Sequence, residues 1–189
     1  MSFLKENMPV PFTFRMNVTT SGTPEQLLVK RGAVTTIAFN DNSADADTIT
    51  DSGNGFLIAG FQPEDRLTVS GSSSNDGTFI VETVTAGTIT LRTNEVLTTE
   101  AASASITLTA PKAVTQGAAV VIKASNSNSG NIIIADSSAK ALNTTTGGFI
   151  LQKNESVELQ IDNISVLWLD CTINGETVEV LFEKALQQA

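Results

Sequence analysis

The chain has 189 residues, a formal net charge of −9, one cysteine and no histidine. An acidic chain of this kind lacks the clustered Lys and Arg that displace counterions from DNA or RNA. Without imidazole or a second thiol it has no Ser–His–Asp triad, no zinc site of the usual ligands and no internal disulfide. Only 16% of residues are charged, and Ser, Thr, Asn and Gly fill the difference beside many Val and Ile. β-branched side chains fit a pleated surface better than a helix, so the material is that of strands and turns.

Residues 1–11 read as an arm. Pro9 and Pro11 bar a regular helix, and Phe3, Leu4, Phe12 and Phe14 are costly in a free tail, so this region is expected to pack on a neighbouring subunit. No signal-peptide core and no membrane-length apolar run is present, which predicts a protein made and kept in a cytoplasm. Phe12, Phe14, Met16 and Val18 alternate with polar residues, the period of a half-buried strand. Gly22-Thr23-Pro24 turns the chain, and Glu25–Lys30 is a short buried strand or one helical turn.

From Val34 the chain becomes acidic. Residues 34–110 hold ten acids against Arg66 and Arg92, net −8, while the remainder carries ten acids and nine bases. That contrast marks a domain boundary near each end. Within the segment, Thr35–Phe39, Thr48–Thr50, Phe56–Ile58, Leu67–Val69, Thr78–Val84, Ile89–Leu91 and Ile106–Leu108 read as short strands. Asn75-Asp76-Gly77 closes a hairpin, with Gly77 supplying the positive φ of a tight return. Strands turning every 8–12 residues predict a small antiparallel barrel or sandwich.

After Pro111, residues 118–124, 132–135, 149–151, 156–161, 166–170 and 177–182 form a second set of strands, broken by the turn Ser125–Asn131. Asn174-Gly175 is the sequence of a type I′ hairpin turn. Residues from Phe182 on can continue as a short helix.

Chemistry is sparse. Glu64 with Asp65, and Glu155 with Glu158, are the only carboxylate pairs suited to acid–base work, and both read as solvated surface. Gly53-x-Gly55 lacks the Gly-Lys-Ser/Thr of a phosphate loop. Asp41, Asp45, Asp47 and Asp51 offer hard oxygen ligands for Ca²⁺, without the glycine of an EF-hand loop. Trp168 reads as core or as a buried contact, and Cys171 as a small residue without redox work.

The segments GAAVVIKASNSNSGNIIIADSSAKAL, GGFILQKNESVELQIDNISVLWLD and GETVEVLFE resemble a β-sandwich module of tailed-bacteriophage virion proteins. Gly22–Leu27 (GTPEQL) matches the strand that precedes that module in the family, but here about 75 residues intervene. Gly60-Phe61 and Asn75–Thr78 are similar to motifs of small phage β domains, while Pro63-Glu64-Asp65 departs from the usual Gly-Asp. The resemblance implies an all-β protein: an antiparallel β-sandwich host of residues 1–33 and 111–189, split by an inserted β-barrel or sandwich of residues 34–110. It further implies a non-enzymatic capsid decoration, or cement, protein without cofactor or metal. Such a protein would sit on the capsid exterior, bind the major capsid protein, assemble with itself, a trimer favoured, and touch neither nucleic acid nor membrane. A tail or fibre component that binds cell surfaces is the alternative. Phe3, Leu4, Phe12, Phe14 and Trp168 are the expected partner-binding residues.

Overall fold

The computed structural model describes residues 11–114, 117–142 and 147–183. In chain order the strands are β1 (Pro11–Val18), β2 (Glu25–Gln26), β3 (Val29–Val34), β4 (Ile37–Asn40) and β5 (Thr48–Asp51). After one helical turn, α1 (Phe56–Ala59), come β6 (Arg66–Ser70), β7 (Gly77–Val84), β8 (Thr88–Leu91) and β9 (Ile106–Ala110). Then follow β10 (Val120–Ala124), β11 (Ile132–Ala135), the short α2 (Ser138–Ala141), β12 (Phe149–Leu151), β13 (Ser156–Leu159), a 3-10 turn (Ile164–Val166), β14 (Trp168–Cys171) and β15 (Glu176–Glu183). The fold is all-β with antiparallel sheets.

The chain divides into two compact units. Of the described residues, one holds 11–13, 17–27 and those from Ala113 on, and the other holds 14–16 and 28–112. The division falls at Leu27/Leu28 and Lys112/Ala113, outside the 34–110 segment marked by charge. This moves Lys30, Arg31 and Lys112, and the charge contrast goes with them. Residues 28–112 carry ten acids and five bases, net −5, and the rest of the chain ten acids and six bases, net −4. Glu25–Lys30 is neither one strand nor a helical turn: it is split between β2 and β3, which belong to different sheets.

The first unit is a sandwich of two four-stranded sheets, ordered β1-β15-β10-β13 and β12-β11-β14-β2. β1 follows its alternation closely, with Phe12, Phe14, Met16 and Val18 buried and the residues between them exposed. Val178, Val180 and Phe182 of β15 and Val120, Ile122 and Ala124 of β10 are buried in the same sheet. From the other sheet, Ile132 and Ile134 of β11 and Leu169 and Cys171 of β14 are buried, and the Cys171 thiol reaches the Val18 carbonyl at 3.5 Å. The predicted Asn174-Gly175 hairpin is not one. β14 and β15 lie in different sheets, and Gly175 (φ 81°) but not Asn174 has positive φ, so the turn carries the chain across the sandwich. A type I′ turn needs both central residues at positive φ.

The second unit is one seven-stranded sheet, ordered β3-β9-β6-β7-β8-β5-β4. Its two edge strands are consecutive in the chain, with only Thr35 and Thr36 between them. A flat sheet would separate these edges by about 29 Å, far beyond what two residues span, so the sheet curls round to bring them together. β6 and β7 form the predicted hairpin, but the positive φ sits on Gly71 (89°) rather than Gly77. Phe56–Ile58 is a helical turn, not a strand. An extended path would turn successive side chains to opposite faces, whereas the turn sends both Phe56 and Phe61 inward, edge-on at 6.1 Å. Gly60 (φ 95°) ends it in a left-handed cap.

Candidate functional site

Of the residues expected to bind a partner, Phe3 and Leu4 lie outside the described residues. Phe12 and Phe14 are corrected by burial: both point into the protein from β1, only 6% and 5% exposed, and Phe12 packs edge-on against Phe182 with ring centroids 5.2 Å apart. Their apolar area is already removed from water by the chain itself, so neither has a face to offer. Trp168 begins β14 between Ala135 and Gln26 and is half-buried. Cys171 is buried at the far end of that strand, and burial, followed by the Asp170 charge, pushes its thiol pKa up. A thiol so placed stays protonated and unreactive at neutral pH.

Outward apolar surface lies elsewhere. On β10 and β15, Val121 and Leu181 are direct partners in the ladder and face away from the sandwich core, Leu181 being 44% exposed. With Pro11, Ala118 and Ala119 they line an open depression of about 270 Å³. Sequence reasoning placed Leu181 in the 177–182 strand without assigning its residues to faces. In the second unit Leu57 and Ile58 project from α1, Ile58 83% exposed. On the edge strand β12, Phe149 and Ile150 are also more than half exposed.

The acidic residues mostly serve the fold. Asp51 has a fully buried side chain. It accepts from Arg31 Nε at 2.8 Å, Thr36 Oγ1 at 2.6 Å, and the amides of Gly53 at 2.8 Å and Gly55 at 3.0 Å. Burial alone would raise its pKa; these donors outweigh it and hold the carboxyl at about 2. The Gly53-x-Gly55 loop thus cradles an anion, and that anion is the chain's own carboxylate. A Cβ on Gly55 would run into the Arg31 guanidinium.

Asp47 accepts from the amides of Asn42 (2.8 Å) and Leu97 (2.7 Å), and Asp41 from that of Ser43 (2.8 Å). The loop offered as a Ca²⁺ site thus spends three of its four carboxylates on fastening itself and its neighbours. Among the described residues no group of three or more acidic or cysteine side chains gathers to hold a metal ion.

Of the two carboxylate pairs suited to acid–base work, both acids of the first and Glu155 of the second are occupied, while Glu158 is exposed on β13. Asp65 is buried against Lys112, itself fully buried, and accepts from the Gln62 amide at 2.8 Å, while Glu64 pairs with Arg92. Glu155 caps the Gln152 amide at 2.8 Å. In the first unit Asp170 accepts from Gly22 at 3.0 Å, and Glu176 from Ser129 at 3.0 Å and Gly130 at 2.6 Å. For Asp51, Asp170 and Glu176 the signal missed in the sequence was the small donor residues Gly53, Gly55, Gly22, Ser129 and Gly130; the amides of Gln62, Leu97 and Gln152 carried no such signal.

Comparison with known proteins brings no match among family models, curated proteins or solved structures.

Proposed function

We propose that the chain is a non-enzymatic structural protein of a tailed-bacteriophage virion, which decorates and stabilises the capsid shell from outside. Its partners are the major capsid protein and further copies of itself, a trimer favoured. The observation that carries this reading is the use made of the buried acids. Asp47, Asp51, Asp65, Asp170 and Glu176 are buried and each accepts from backbone amides of the fold. Such an interior favours rigidity over turnover. Arg31 and Lys112 neutralise two of these charges from within.

The motif resemblance supplies the phage context, and the net charge of −9 suits an outer surface over one facing packaged DNA. An acidic knob set against a neutral base is not part of the proposal, because the charge is shared almost evenly between the units.

The test is to locate the chain in purified particles by electron cryomicroscopy and count its copies, then to heat particles with and without it. Hundreds of copies on the shell and earlier DNA release in particles lacking them are the expected results. A handful of copies at the tail would replace this reading with the tail or fibre one. Equal heat stability would remove the cementing role.

A further inference from the structure

The depression on the outer face of the β1-β15-β10-β13 sheet lies at the end where the chain enters β1. Pro11, the first residue of that strand, is part of its rim; Ala118, Ala119, Val121, Leu181 and Phe182 supply a mainly apolar lining, and Glu183 is its one charged residue. The face beyond it is polar: Thr13 on β1, Glu179 on β15 and Lys123 on β10. Ten residues precede Pro11, and they include Met1, Phe3, Leu4, Met8 and Val10. An apolar depression of about 270 Å³ therefore stands at the root of an apolar arm.

We propose that this depression receives Phe3 and Leu4 from the N-terminal arm of a second copy. Pro9 and Pro11 fix their own φ and bias Met8 and Val10 toward extended backbone, so the sequence favours a straight exit from the rim over an immediate return. Phe3 stands eight residues before Pro11, so an extended arm would carry it about 26 Å from the rim, away from its own groove. Each copy both gives and receives an arm, so weak single contacts add through their effective concentration. The inference deepens the self-assembly part of the reading above. It stands or falls separately from the capsid, since it concerns the purified chain.

The experiment measures the mass of the full chain in solution beside that of a chain lacking residues 2–8. It also measures binding of a synthetic peptide of residues 1–10 to the shortened chain, with and without Leu181→Glu. Leu181 is exposed, so the substitution leaves the core alone, and an unchanged circular dichroism spectrum checks this. The full chain is expected to run at a whole-number multiple of its mass and the shortened chain as a monomer. The peptide is expected to bind the shortened chain, and Leu181→Glu to weaken that binding by about tenfold or more. A monomeric full chain, an unchanged mass after shortening, or a peptide indifferent to Leu181→Glu would each overturn the proposal. An arm-exchanged oligomer that never appears on a shell would leave it standing and sink the virion reading.

Discussion

Arg31 Nε donates to the buried Asp51 carboxylate across 2.8 Å, joining the strand at one edge of the seven-stranded sheet to the strand beside the opposite edge. No ladder between those edge strands is part of the sheet order, so this contact does by side chain what a barrel seam does by backbone.

Asp51→Asn puts an amide nitrogen or a weaker acceptor where Arg31, Gly53 and Gly55 all donate, and should cost about 2–4 kcal/mol at neutral pH. The folded pKa of about 2 lies below the ordinary 3.8. The linked stability is therefore fully present above about pH 4 and is lost as the pH falls toward 2. It amounts to about 2–3 kcal/mol. Urea unfolding of both chains from pH 7 to 2 checks this: the gap between them should narrow below pH 4, and a gap independent of pH would contradict it.

Gly55→Ala isolates the packing of the same joint. Gly55 has φ −92°, a backbone alanine adopts freely, so the only penalty is the meeting of its Cβ with the Arg31 guanidinium. A loss of about 1–3 kcal/mol is expected. In an Arg31→Ala background the loss should shrink, because the two residues share one contact. Equal losses in both backgrounds would show the glycine acting elsewhere.

The Asp65–Lys112 pair predicts a different pattern. Both side chains are buried, so Lys112→Met leaves a carboxylate without its countercharge and should cost about 3 kcal/mol or more. Adding Asp65→Leu removes the stranded charge, and the double variant should recover about half or more of that loss. Thermal melts of the single and double variants decide it; a double variant less stable than Lys112→Met would mean that Asp65 stabilises through contacts other than Lys112, the Gln62 amide among them.

Asn75 bonds Thr98 twice, its Oδ1 taking the Thr98 amide at 2.8 Å and its Nδ2 giving to the Thr98 carbonyl at 2.9 Å. Asn128 does the same with Thr177 at 2.9 and 3.0 Å. Each asparagine stands in for a strand neighbour where the loop backbone cannot follow. Asn75→Ala should cost about 2 kcal/mol and speed hydrogen exchange at the Thr98 amide. Unaltered exchange there would show that the loop is held by other means.

The sequence shows the strands far better than their partners. β1 is legible because its alternation and its burial are the same pattern, and the β6–β7 hairpin because its turn is local. α1 was missed because four apolar residues between glycines carry no period that separates a helical turn from a strand. The Asn174-Gly175 turn was misread for a related reason: a local turn signal does not say which sheet the next strand joins. The carboxylates are the hardest case. Glu176 and the Ser129 amide it caps are 47 residues apart, and Asp47 and the Leu97 amide 50. Composition reports such acids as solvated charge. The even division of charge was hidden likewise, since it depends on β3 pairing with β9 and taking Lys30 and Arg31 into the second unit.

The long segment of the second unit, residues 28–112, opens on β3 and closes just past β9, and Val29 and Ala110 are direct partners in that ladder. Partners of this kind hold their Cα atoms about 5 Å apart. To the first unit, 80 residues of intervening chain present the same two stubs that a tight turn would. Residues 30–109 thus behave as a cassette, and exchanging them for a two-residue turn, or for another domain with adjacent ends, should leave the first unit folded. Trp168 fluorescence in the shortened chain would report it, since the chain's single tryptophan lies outside the exchanged segment.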